Sequence, residues 1–435
     1  MTDLPRRAEA PLLGIVLGAY LVVAVLYATR VPPYNAPDEP AHANYAREIA
    51  ERGALPVLRP GDWDTDLLER LKAARFPPGS DVSTIRYESH QPPLYYLLLA
   101  PLARATGGSE RDQVVALRLG SVAIGLVALA ALYLAARALA PDGGATGLLA
   151  VALAAFVPQH VATLASVSND GLTELWLSLL LWLGALALRR GVAPRDALGL
   201  GLVTGLAMLT KLSAWVAAPL AGLVLLLAPT RSGRKTTHVL AAGAVALALA
   251  LPWVVRGALV YGPDDPFGLR RHDEVVAGQP LTGRPSLAEA GSMGATLFRS
   301  FWGQFGWMGV LMDERVYVGL ALLSLLIGLG VLLWLAPWGG LWRDADGPAR
   351  RGLLLAAALV AAVLLATVVY NLRYLQPQGR YLFAAMAGIA SFAALGLREL
   401  IAPRQRASVY ALLAVGLVVL DLVALFRFIL PDLVR

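Results

Sequence analysis

Cysteine is absent from this chain of 435 residues, and charged residues make up only 15% of it. The missing thiols exclude a disulfide framework, a thiolate metal site and a cysteine nucleophile. A soluble protein carries roughly a quarter charged residues, so the low charge, with 57% hydrophobic residues and a mean hydropathy of +0.61, indicates a polytopic membrane protein. The net charge of +7 does not indicate nucleic acid, because the basic residues lie in short loops between apolar runs.

Apolar segments that approach the roughly 20 residues of a membrane-spanning helix recur along the whole chain. The predicted fold class is therefore all-α, a single polytopic membrane domain over residues 1–435 with about 11 transmembrane helices. Two long polar segments, residues 30–92 and 257–315, interrupt the series. The predicted spans are Pro11–Thr29, Gln113–Ala138, Gly144–Leu164, Gly171–Leu188, Ala197–Thr210, Leu212–Ala228, His238–Arg256, Val316–Ala336, Gly352–Tyr370, Tyr381–Arg398 and Ser408–Phe428.

The segment Pro92–Ala105 decides the predicted orientation, because it is apolar but too short to span. If it lies in the interface, or dips in and returns, the basic clusters all fall on one side, as the positive-inside rule requires. We therefore predict a cytoplasmic N-terminus, an extracytoplasmic C-terminus and extracytoplasmic loops at 30–92 and 257–315. The basic clusters are Arg6-Arg7, Arg189-Arg190-Arg195, Arg231-Arg234-Lys235, Arg343-Arg350-Arg351 and Arg398-Arg404-Arg406.

The stretch Pro-Asp-Glu-Pro-Ala-His at 37–42 places two carboxylates and an imidazole just after the first span. Pro40 suits the first turn of a helix, which we predict over Ala41–Arg52 with a glycine at its end. Asp38 and Glu39 then lie at the helix N-terminus, where the dipole favours the ionised form. The pattern fits either a helix cap beside the membrane or a pair of catalytic carboxylates.

With this topology, further polar side chains gather at the extracytoplasmic face. An ionisable group at membrane depth costs on the order of a few kcal/mol, so such a collection indicates a site. Lys211 and Arg118 can also extend to the lipid headgroups, and Asp170 can cap the following helix. Glu174 and Asp421 are structural or of unknown role. The residues gathered at the face are His42, Glu88, His90, Asn169, Asp170, Lys211, Arg373, Gln378, Arg380 and Tyr381.

These residue types suit the attack of a hydroxyl group on a carbon that carries a phosphate leaving group. Such a reaction needs a carboxylate base, and cations that neutralise the departing phosphate. Carboxylates and histidines also hold divalent ions (Mg²⁺, Mn²⁺ or Zn²⁺), for which Glu39, Glu88 and His90 are the candidate ligands. The chain has no P-loop, and nucleotide sugars are scarce outside the cytoplasm. A sugar on a lipid phosphate carrier is therefore the expected donor.

Several short motifs make the chain resemble the GT-C superfamily of integral-membrane glycosyltransferases, which contains protein O-mannosyltransferases and lipid A aminoarabinose transferases. The resemblance covers most of the chain, including stretches similar to a branch of bacterial membrane proteins. The motifs that carry it are Asp38-Glu39 (first-loop acidic motif), residues 88–96 (second-segment motif), Val114–Gly125 with Arg118-Leu119 (the next helix), Gly205–Lys211 (a Leu-Thr-Lys stretch), and, for the bacterial branch, Val167–Asp170 and Gln378–Tyr381.

The resemblance implies a GT-C fold and a glycosyltransferase of the bacterial cell membrane whose active site is extracytoplasmic. It implies a polyprenyl-phosphate sugar donor, inversion at the anomeric carbon, and a glycan, lipid or protein as acceptor. The predicted roles are Asp38 and Glu39 as catalytic residues, Lys211, Arg380 and Arg373 as phosphate ligands, and His42, Glu88, His90, Asn169, Asp170, Gln378 and Tyr381 as substrate contacts.

In the second polar segment, Trp302, Gln304 and Trp307 are predicted to stack on and bond a sugar, and membrane-interface aromatics are an equal alternative. Other functions also stay open. A transporter or flippase of lipid-linked saccharides needs polar residues on both faces and through the middle of the bundle. An O-antigen polymerase or ligase also works outside on lipid-linked sugars, from another fold, and a scaffold for envelope enzymes needs no Asp38.

Overall fold

The computed structural model describes residues 6–230, 234–277 and 287–434. These residues are mostly helical, with one short hairpin in which β1 (Gln304–Phe305) pairs antiparallel with β2 (Val310–Leu311). The α-helices are α1 (Arg6–Arg30), α2 (Glu39–Arg52), α3 (Thr65–Ala73), α4 (Leu94–Ala105), α5 (Glu110–Leu139), α6 (Gly144–Ala155), α7 (Pro158–Leu164), α8 (Asp170–Arg190), α9 (Pro194–Met208), α10 (Ala217–Leu227), α11 (Lys235–Tyr261), α12 (Leu269–Val275), α13 (Leu287–Trp302), α14 (Glu314–Leu335), α15 (Gly340–Asp344), α16 (Gly347–Asn371), α17 (Met386–Leu400), α18 (Arg406–Val423) and α19 (Leu430–Leu433). Shorter 3-10 turns cover Tyr87–His90, Leu212–Val216, Gly379–Ala385 and Pro403–Gln405, and a π-helical turn covers Ala424–Ile429.

Eight helices in the described part of the chain are long and apolar enough to cross a membrane. They are α1, α5, α8, α11, α14 and α16, the unit Gly379–Leu400, and the unit Pro403–Leu433. A ninth candidate is the pair α6 and α7, whose axes meet at 74°. The two remaining predicted spans correspond to α9 and to Leu212–Leu227, which are shorter than 18 residues. The all-α polytopic fold is thus confirmed, whereas the count of eleven spans is not.

The short apolar segment before α5 forms α4, whose 12 residues rise about 18 Å, well below the thickness of a bilayer core. Its start is fixed to the end of α9. The Leu94 amide donates to the Leu209 carbonyl at 2.9 Å, and the Leu212 amide donates to the Gln91 side chain at 3.4 Å. These bonds hold α4 beside Lys211.

The first polar segment folds over one end of the bundle and shares a second hydrophobic core with α4, α5 and α8. Its helix α2 begins at Glu39 and ends at Gly53, which takes the left-handed conformation (φ 65°) that glycine adopts without strain. Tyr45 of α2 stacks on Tyr96 of α4 with ring centroids 3.7 Å apart, and both rings are buried. Part of the second polar segment, residues 278–286, lies outside the described residues.

The other end of the bundle carries a separate set of ion pairs. Arg398 bonds both Asp142 and Asp344 at 2.9 Å, and Arg137 bonds Glu9 at 2.8 Å. The connections predicted to be cytoplasmic therefore meet at one end, and the two long polar segments meet at the opposite end. The end that faces the cytoplasm is a prediction from the positive-inside rule.

Candidate functional site

Asp38 lies between α1 and α2 in a left-handed backbone conformation (φ 66°, ψ −4°), which is uncommon for residues other than glycine, although aspartate adopts it more readily than most. Its side chain does not cap α2. The Tyr87 hydroxyl instead donates to Asp38 Oδ1 at 2.6 Å, and the Arg380 guanidinium forms an ion pair with Oδ2. The contacts of the carboxylate are therefore with other elements of the site.

Two opposing effects act on the ionisation of Asp38. Burial by itself raises the pKa of this carboxyl group. The positive charge of Arg380, the proximity of His42, and the hydrogen bonds from Arg380 and Tyr87 act in the other direction, and the resulting pKa is below its ordinary value. Asp38 is therefore ionised at neutral pH and able to accept a proton. About a quarter of its side chain is exposed, at 24%.

Arg380 and Lys211 continue from Asp38 as a connected set of charges. Arg380 Nε donates to Gln378 at 2.7 Å, and its Nη1 lies 3.9 Å from Asp170 at the start of α8. The other oxygen of Asp170 pairs with the Lys211 ammonium. Lys211 is thus directed into the protein rather than to lipid headgroups. We call Asp38, Asp170, Lys211 and Arg380 the ionic cluster.

Glu39, predicted as a catalytic residue or a metal ligand, is not part of the ionic cluster. It forms a buried ion pair with Arg118 in which both carboxylate oxygens have partners. It is 0% exposed and binds Arg118 of α5 through both oxygens, at 2.7 and 2.6 Å. The backbone amides of Tyr34 and Val167 also donate to it, at 2.8 and 3.1 Å. Arg118 donates further to three carbonyl groups at the end of α1 and is itself 1% exposed, so it does not extend to headgroups.

His42 and Asn169 meet at the hydroxyl group of Tyr96. His42 Nδ1 lies 2.8 Å from that oxygen, and the Asn169 amide lies 3.4 Å from it and 3.3 Å from the Thr210 carbonyl. Burial lowers the pKa of His42 despite the nearby carboxylates of Glu88 and Asp38, so the ring is neutral at neutral pH. His42 is therefore a neutral ring that lies close to the carboxylates of Glu88 and Asp38.

Glu88 and His90 lie in the 3-10 turn that also presents Tyr87. His90 Nδ1 is 3.0 Å from the Tyr87 carbonyl, and its ring centroid is 4.6 Å from that of His272 in α12. Burial lowers the pKa of His90 to about 4, and burial with the neighbouring His90 lowers that of His272 to about 4. Glu88 is half-buried and close enough to His42 to act on it electrostatically.

The predicted metal set does not assemble. Across residues 6–230, 234–277 and 287–434, no group of three or more histidine, aspartate or glutamate side chains is arranged to hold a metal ion. Glu39 is committed to Arg118, which separates it from Glu88 and His90. The residues present do not fit a metal ion held by these three ligands.

Of three further predicted contacts, Arg373 and Trp302 lie elsewhere, and Tyr381 stays beside Arg380. Arg373 pairs with Asp273 of α12, and its side chain is 59% exposed, so it does not join the ionic cluster. Trp302 is 6% exposed within the main hydrophobic core, where it cannot stack on a sugar. The Tyr381 hydroxyl donates to Gln376 at 3.1 Å, beside Arg380.

The predicted sugar-binding residues Gln304 and Trp307 hold the hairpin of β1 and β2 in place. The Gln304 side chain donates to the Met308 carbonyl at 2.9 Å, which closes the turn. The Trp307 indole donates to the Tyr34 carbonyl at 2.8 Å and stacks on Phe76 at 6.0 Å. These contacts dock the second polar segment on the first.

Three residues of the site were not found from the sequence. Tyr87 holds Asp38, Tyr96 joins His42 to Asn169, and His272 packs on His90. Tyr87 and Tyr96 border the motif at 88–96, so a search for hydroxyl groups beside its acid would have found them. His272 lies far away in sequence and gives no such signal.

A model of the dolichyl-phosphate-mannose-protein mannosyltransferase family matches residues 90–255. A search of curated protein sequences returns no match. Among solved structures, the fold is similar to that of ArnT from Cupriavidus metallidurans bound to undecaprenyl phosphate, with a TM-score of 0.57 and 15% identity over 97% of this chain and 73% of ArnT.

The fold is also similar to the oligosaccharyltransferase of Archaeoglobus fulgidus in its complex with Zn and sulfate, with a TM-score of 0.51 and 14% identity over 94% of this chain and 52% of the other. The complex of that organism's oligosaccharyltransferase AglB with an inhibitory peptide and a dolichol-phosphate gives a TM-score of 0.51 and 15% identity over 95% of this chain and 54% of the other. The chain thus spans about half the length of these oligosaccharyltransferases. The fold is therefore similar to that of ArnT and of these oligosaccharyltransferases, and residues 90–255 match the mannosyltransferase family model.

Proposed function

We propose that the protein transfers a sugar from a polyprenyl-phosphate donor to a hydroxyl group of an extracytoplasmic acceptor. The observation that supports the proposal is the ionic cluster. In it Asp38, the candidate base, pairs with Arg380, and Lys211 joins the same cluster through Asp170. Solved structures with the same fold contain undecaprenyl phosphate and dolichol-phosphate, and this supports a lipid phosphate as the ligand of those cations.

Arg380 and Lys211 bind the donor phosphate. The planar guanidinium can bind two phosphate oxygens at once, and the ammonium adds a point charge. Both groups are paired with carboxylates of the protein, Asp38 and Asp170, so their charges are already held in place before the donor arrives. Prearranged cations stabilise the negative charge that develops on the leaving phosphate.

Asp38 is the general base. Its carboxylate takes the proton of the acceptor hydroxyl as that oxygen forms a bond to the anomeric carbon. The bond between the anomeric carbon and the phosphate oxygen breaks, and the electron pair leaves with the polyprenyl phosphate. The displacement inverts the configuration of the anomeric carbon, and no strong general acid is required because the leaving group is already an anion.

The ion pair between Asp38 and Arg380 couples donor binding to the strength of the base. The donor phosphate competes with Asp38 for Arg380. When Arg380 also pairs with the phosphate, its charge stabilises the ionised form of Asp38 less, and the affinity of Asp38 for a proton rises. A higher proton affinity makes a better general base. The base is thus activated only after the donor has bound.

Glu88, His42 and Tyr381 are the proposed contacts of the transferred sugar, since they surround the cluster from three elements. Glu39 has a positioning role through Arg118. The proposed reaction does not use a metal ion held by Glu39, Glu88 and His90, because these predicted ligands do not come together. The proposed location is a bacterial cell membrane with the site outside, and a glycan, lipid or protein as the acceptor.

The test is the variant Asp38→Asn, which keeps size and shape but removes the base. We expect transfer of a lipid-linked sugar to fall by about a hundred- to ten-thousand-fold, the usual contribution of a general base. Donor binding should be retained or tighter, because Asp38 no longer competes with the phosphate for Arg380, and thermal melting in detergent checks that the fold persists. Asp81→Asn, an exposed carboxylate of the same segment, serves as the matched control and should keep its activity.

An Asp38→Asn protein that melts normally and transfers sugar at the wild-type rate would contradict the role of Asp38. A wild-type protein that moves lipid-linked sugar across vesicles without any transfer would favour the flippase. The assay uses purified protein, lipid-linked sugars and a panel of glycan, lipid and protein acceptors.

A further inference from the structure

The span of α6 and α7 breaks inside the bundle, and the break contacts a fully buried pair of ionisable side chains. Pro158 begins α7 after the 74° bend. His160 Nδ1 lies 2.8 Å from the Ala154 carbonyl oxygen, and His160 Nε2 lies 2.7 Å from Glu174 Oε2 of α8. The two side chains are 0% and 1% exposed. We call His160 and Glu174 the buried dyad.

The partners of the imidazole determine its hydrogen positions. A carbonyl oxygen only accepts, so Nδ1 carries a hydrogen atom. The contact between Nε2 and Oε2 then requires one further proton, carried either by the ring beside a carboxylate or by a glutamic acid that donates to a neutral ring. Both forms keep the same two hydrogen bonds, and the geometry of the dyad is the same in either.

The dyad contacts the segments that carry the ionic cluster. Glu174 follows Asp170 by four residues in α8, so the two carboxyl groups lie on one face, one turn apart. The His160 ring packs against Phe383 with centroids 4.8 Å apart. Phe383 follows Arg380 by three residues in the same 3-10 turn. One pair of side chains therefore touches both the helix of Asp170 and the turn of Arg380.

The helix that leads to Asp38 also reaches the dyad. The Tyr20 hydroxyl of α1 is buried within electrostatic range of Glu174, and neither it nor Glu174 Oε1 has a hydrogen-bond partner in the described part of the chain. Gly125 of α5 makes the space for this hydroxyl, because a Cβ atom there would lie 2.3 Å from it. The dyad thus lies where the segments of Asp38, Asp170 and Arg380 converge.

We infer that His160 and Glu174 are positioning residues that fix Asp170 and Arg380 relative to each other and so set the geometry of phosphate binding. The inference rests on the proposed role of Arg380 and Lys211 at the donor phosphate. A dyad that only satisfied the carbonyl freed by the helix break would contribute to stability and leave phosphate affinity unchanged in the folded protein.

The experiment measures binding of undecaprenyl phosphate to the purified full chain in nanodiscs, together with thermal melting. Glu174→Ala should weaken binding about tenfold, the effect of one misaligned charge-assisted contact. Glu174→Gln should bind close to wild type, because its amide can donate to the neutral ring and keep the dyad in place. Ser178→Ala, one turn further along α8 and also buried, is the matched control and should bind like the wild type.

Lys211→Ala, which removes a direct phosphate ligand, is the positive control for weakened binding. If Glu174→Ala fails to fold, Phe383→Leu replaces it, since that variant removes the ring contact to the turn of Arg380 without exposing a buried polar group. Wild-type affinity in Glu174→Ala or Phe383→Leu, or equal loss in Glu174→Gln and Glu174→Ala, would overturn the inference. Failure of the wild type itself to bind undecaprenyl phosphate would instead reject the proposed function.

Discussion

At the scale of single residues, the site consists of groups whose properties depend on their partners. Asp38 is an ordinary aspartate in sequence, yet the Arg380 charge and the Tyr87 hydroxyl keep it ionised at a membrane boundary. Glu39, its neighbour, contacts Arg118 instead and has no free oxygen. Two adjacent carboxylates thus have different partners because the chain turns between them.

The pairing of Asp38 predicts the pH dependence of transfer. A base acts in its ionised form, so activity falls as pH drops through the pKa of Asp38. Because that pKa is below its ordinary value of about 3.9, the acid limb of kcat/KM should lie below about pH 4. Arg380→Met removes the positive charge, so its acid limb should move to higher pH. Profiles of kcat/KM between about pH 3 and 8, each normalised to its plateau, measure the shift.

Arg373→Met is the control for that measurement, since Arg373 pairs with Asp273 and not with Asp38. Its acid limb should stay at the wild-type position. If the acid limb of the Arg380→Met profile stays at the wild-type pH, a group other than Asp38 titrates in that range.

At the scale of elements, α1, α2 and α5 are joined by one side chain. Arg118 of α5 binds Glu39 at the start of α2 and donates to the carbonyls of Ala28, Val31 and Pro32 at the end of α1. Ala28 lies in the last turn of α1, where carbonyl groups have no partner inside the helix, and Val31 and Pro32 follow the end of α1. The left-handed Asp38 is therefore held from both sides by the same guanidinium.

Removing that guanidinium should destabilise the fold. Arg118→Met leaves Glu39 as an unpaired buried charge, so we expect the free energy of unfolding to fall by about 3–5 kcal/mol. Glu39→Gln should cost less, because Arg118 keeps its three carbonyl acceptors. Melting in detergent gives the comparison. Arg111→Met, an exposed residue of the same helix bonded to the Thr29 carbonyl, should change stability by about 0.5 kcal/mol or less.

A wild-type melting curve for Arg118→Met would mean that Asp38 and its loop are fixed by other contacts. A loss in Arg111→Met as large as in Arg118→Met would show that any arginine at this end of α5 has the same effect.

At the scale of the whole molecule, charge is divided between two ends. One end carries the ionic cluster and both polar segments, and the other carries the ion pairs around Arg398 and Glu9. The positive-inside rule assigns the end that carries Arg398 and Glu9 to the cytoplasm. The main core lies between the two ends, and the buried dyad is on the side of the ionic cluster.

Cysteine labelling measures this orientation, because the chain has no native cysteine. We expect a membrane-impermeant thiol reagent to label Ser83→Cys, in the first polar segment, in intact cells. Gln405→Cys, exposed at the opposite end, should react only after the cells are opened. Labelling of Gln405→Cys alone in intact cells would reverse the orientation and place the ionic cluster in the cytoplasm.

The sequence alone determined the properties that depend on composition and local pattern. Hydropathy over runs of about 20 residues gave the polytopic all-α class, and proline and glycine gave the start and the end of α2. The short apolar length of 92–105 predicted a helix too short to cross a bilayer core, and α4 has 12 residues. The gathering of the four charged residues of the ionic cluster at one end followed from the positions of the spans, since Asp170, Lys211 and Arg380 lie next to span boundaries and Asp38 lies in the connection after the first span.

Only the tertiary structure decided which of these groups touch. Partner choice depends on the rotation of each helix about its axis and on contacts between residues as far apart as Asp38 and Arg380, which local pattern does not encode. For this reason Glu39, Arg373 and Trp302 were assigned to the site and lie in other contacts, while Tyr87 and Tyr96 were missed. The 74° break between α6 and α7 likewise lies beside a histidine and a glutamate that the fold brings together from different helices. In an apolar interior an unpaired polar group costs free energy, and packing in three dimensions determines which partner is within reach.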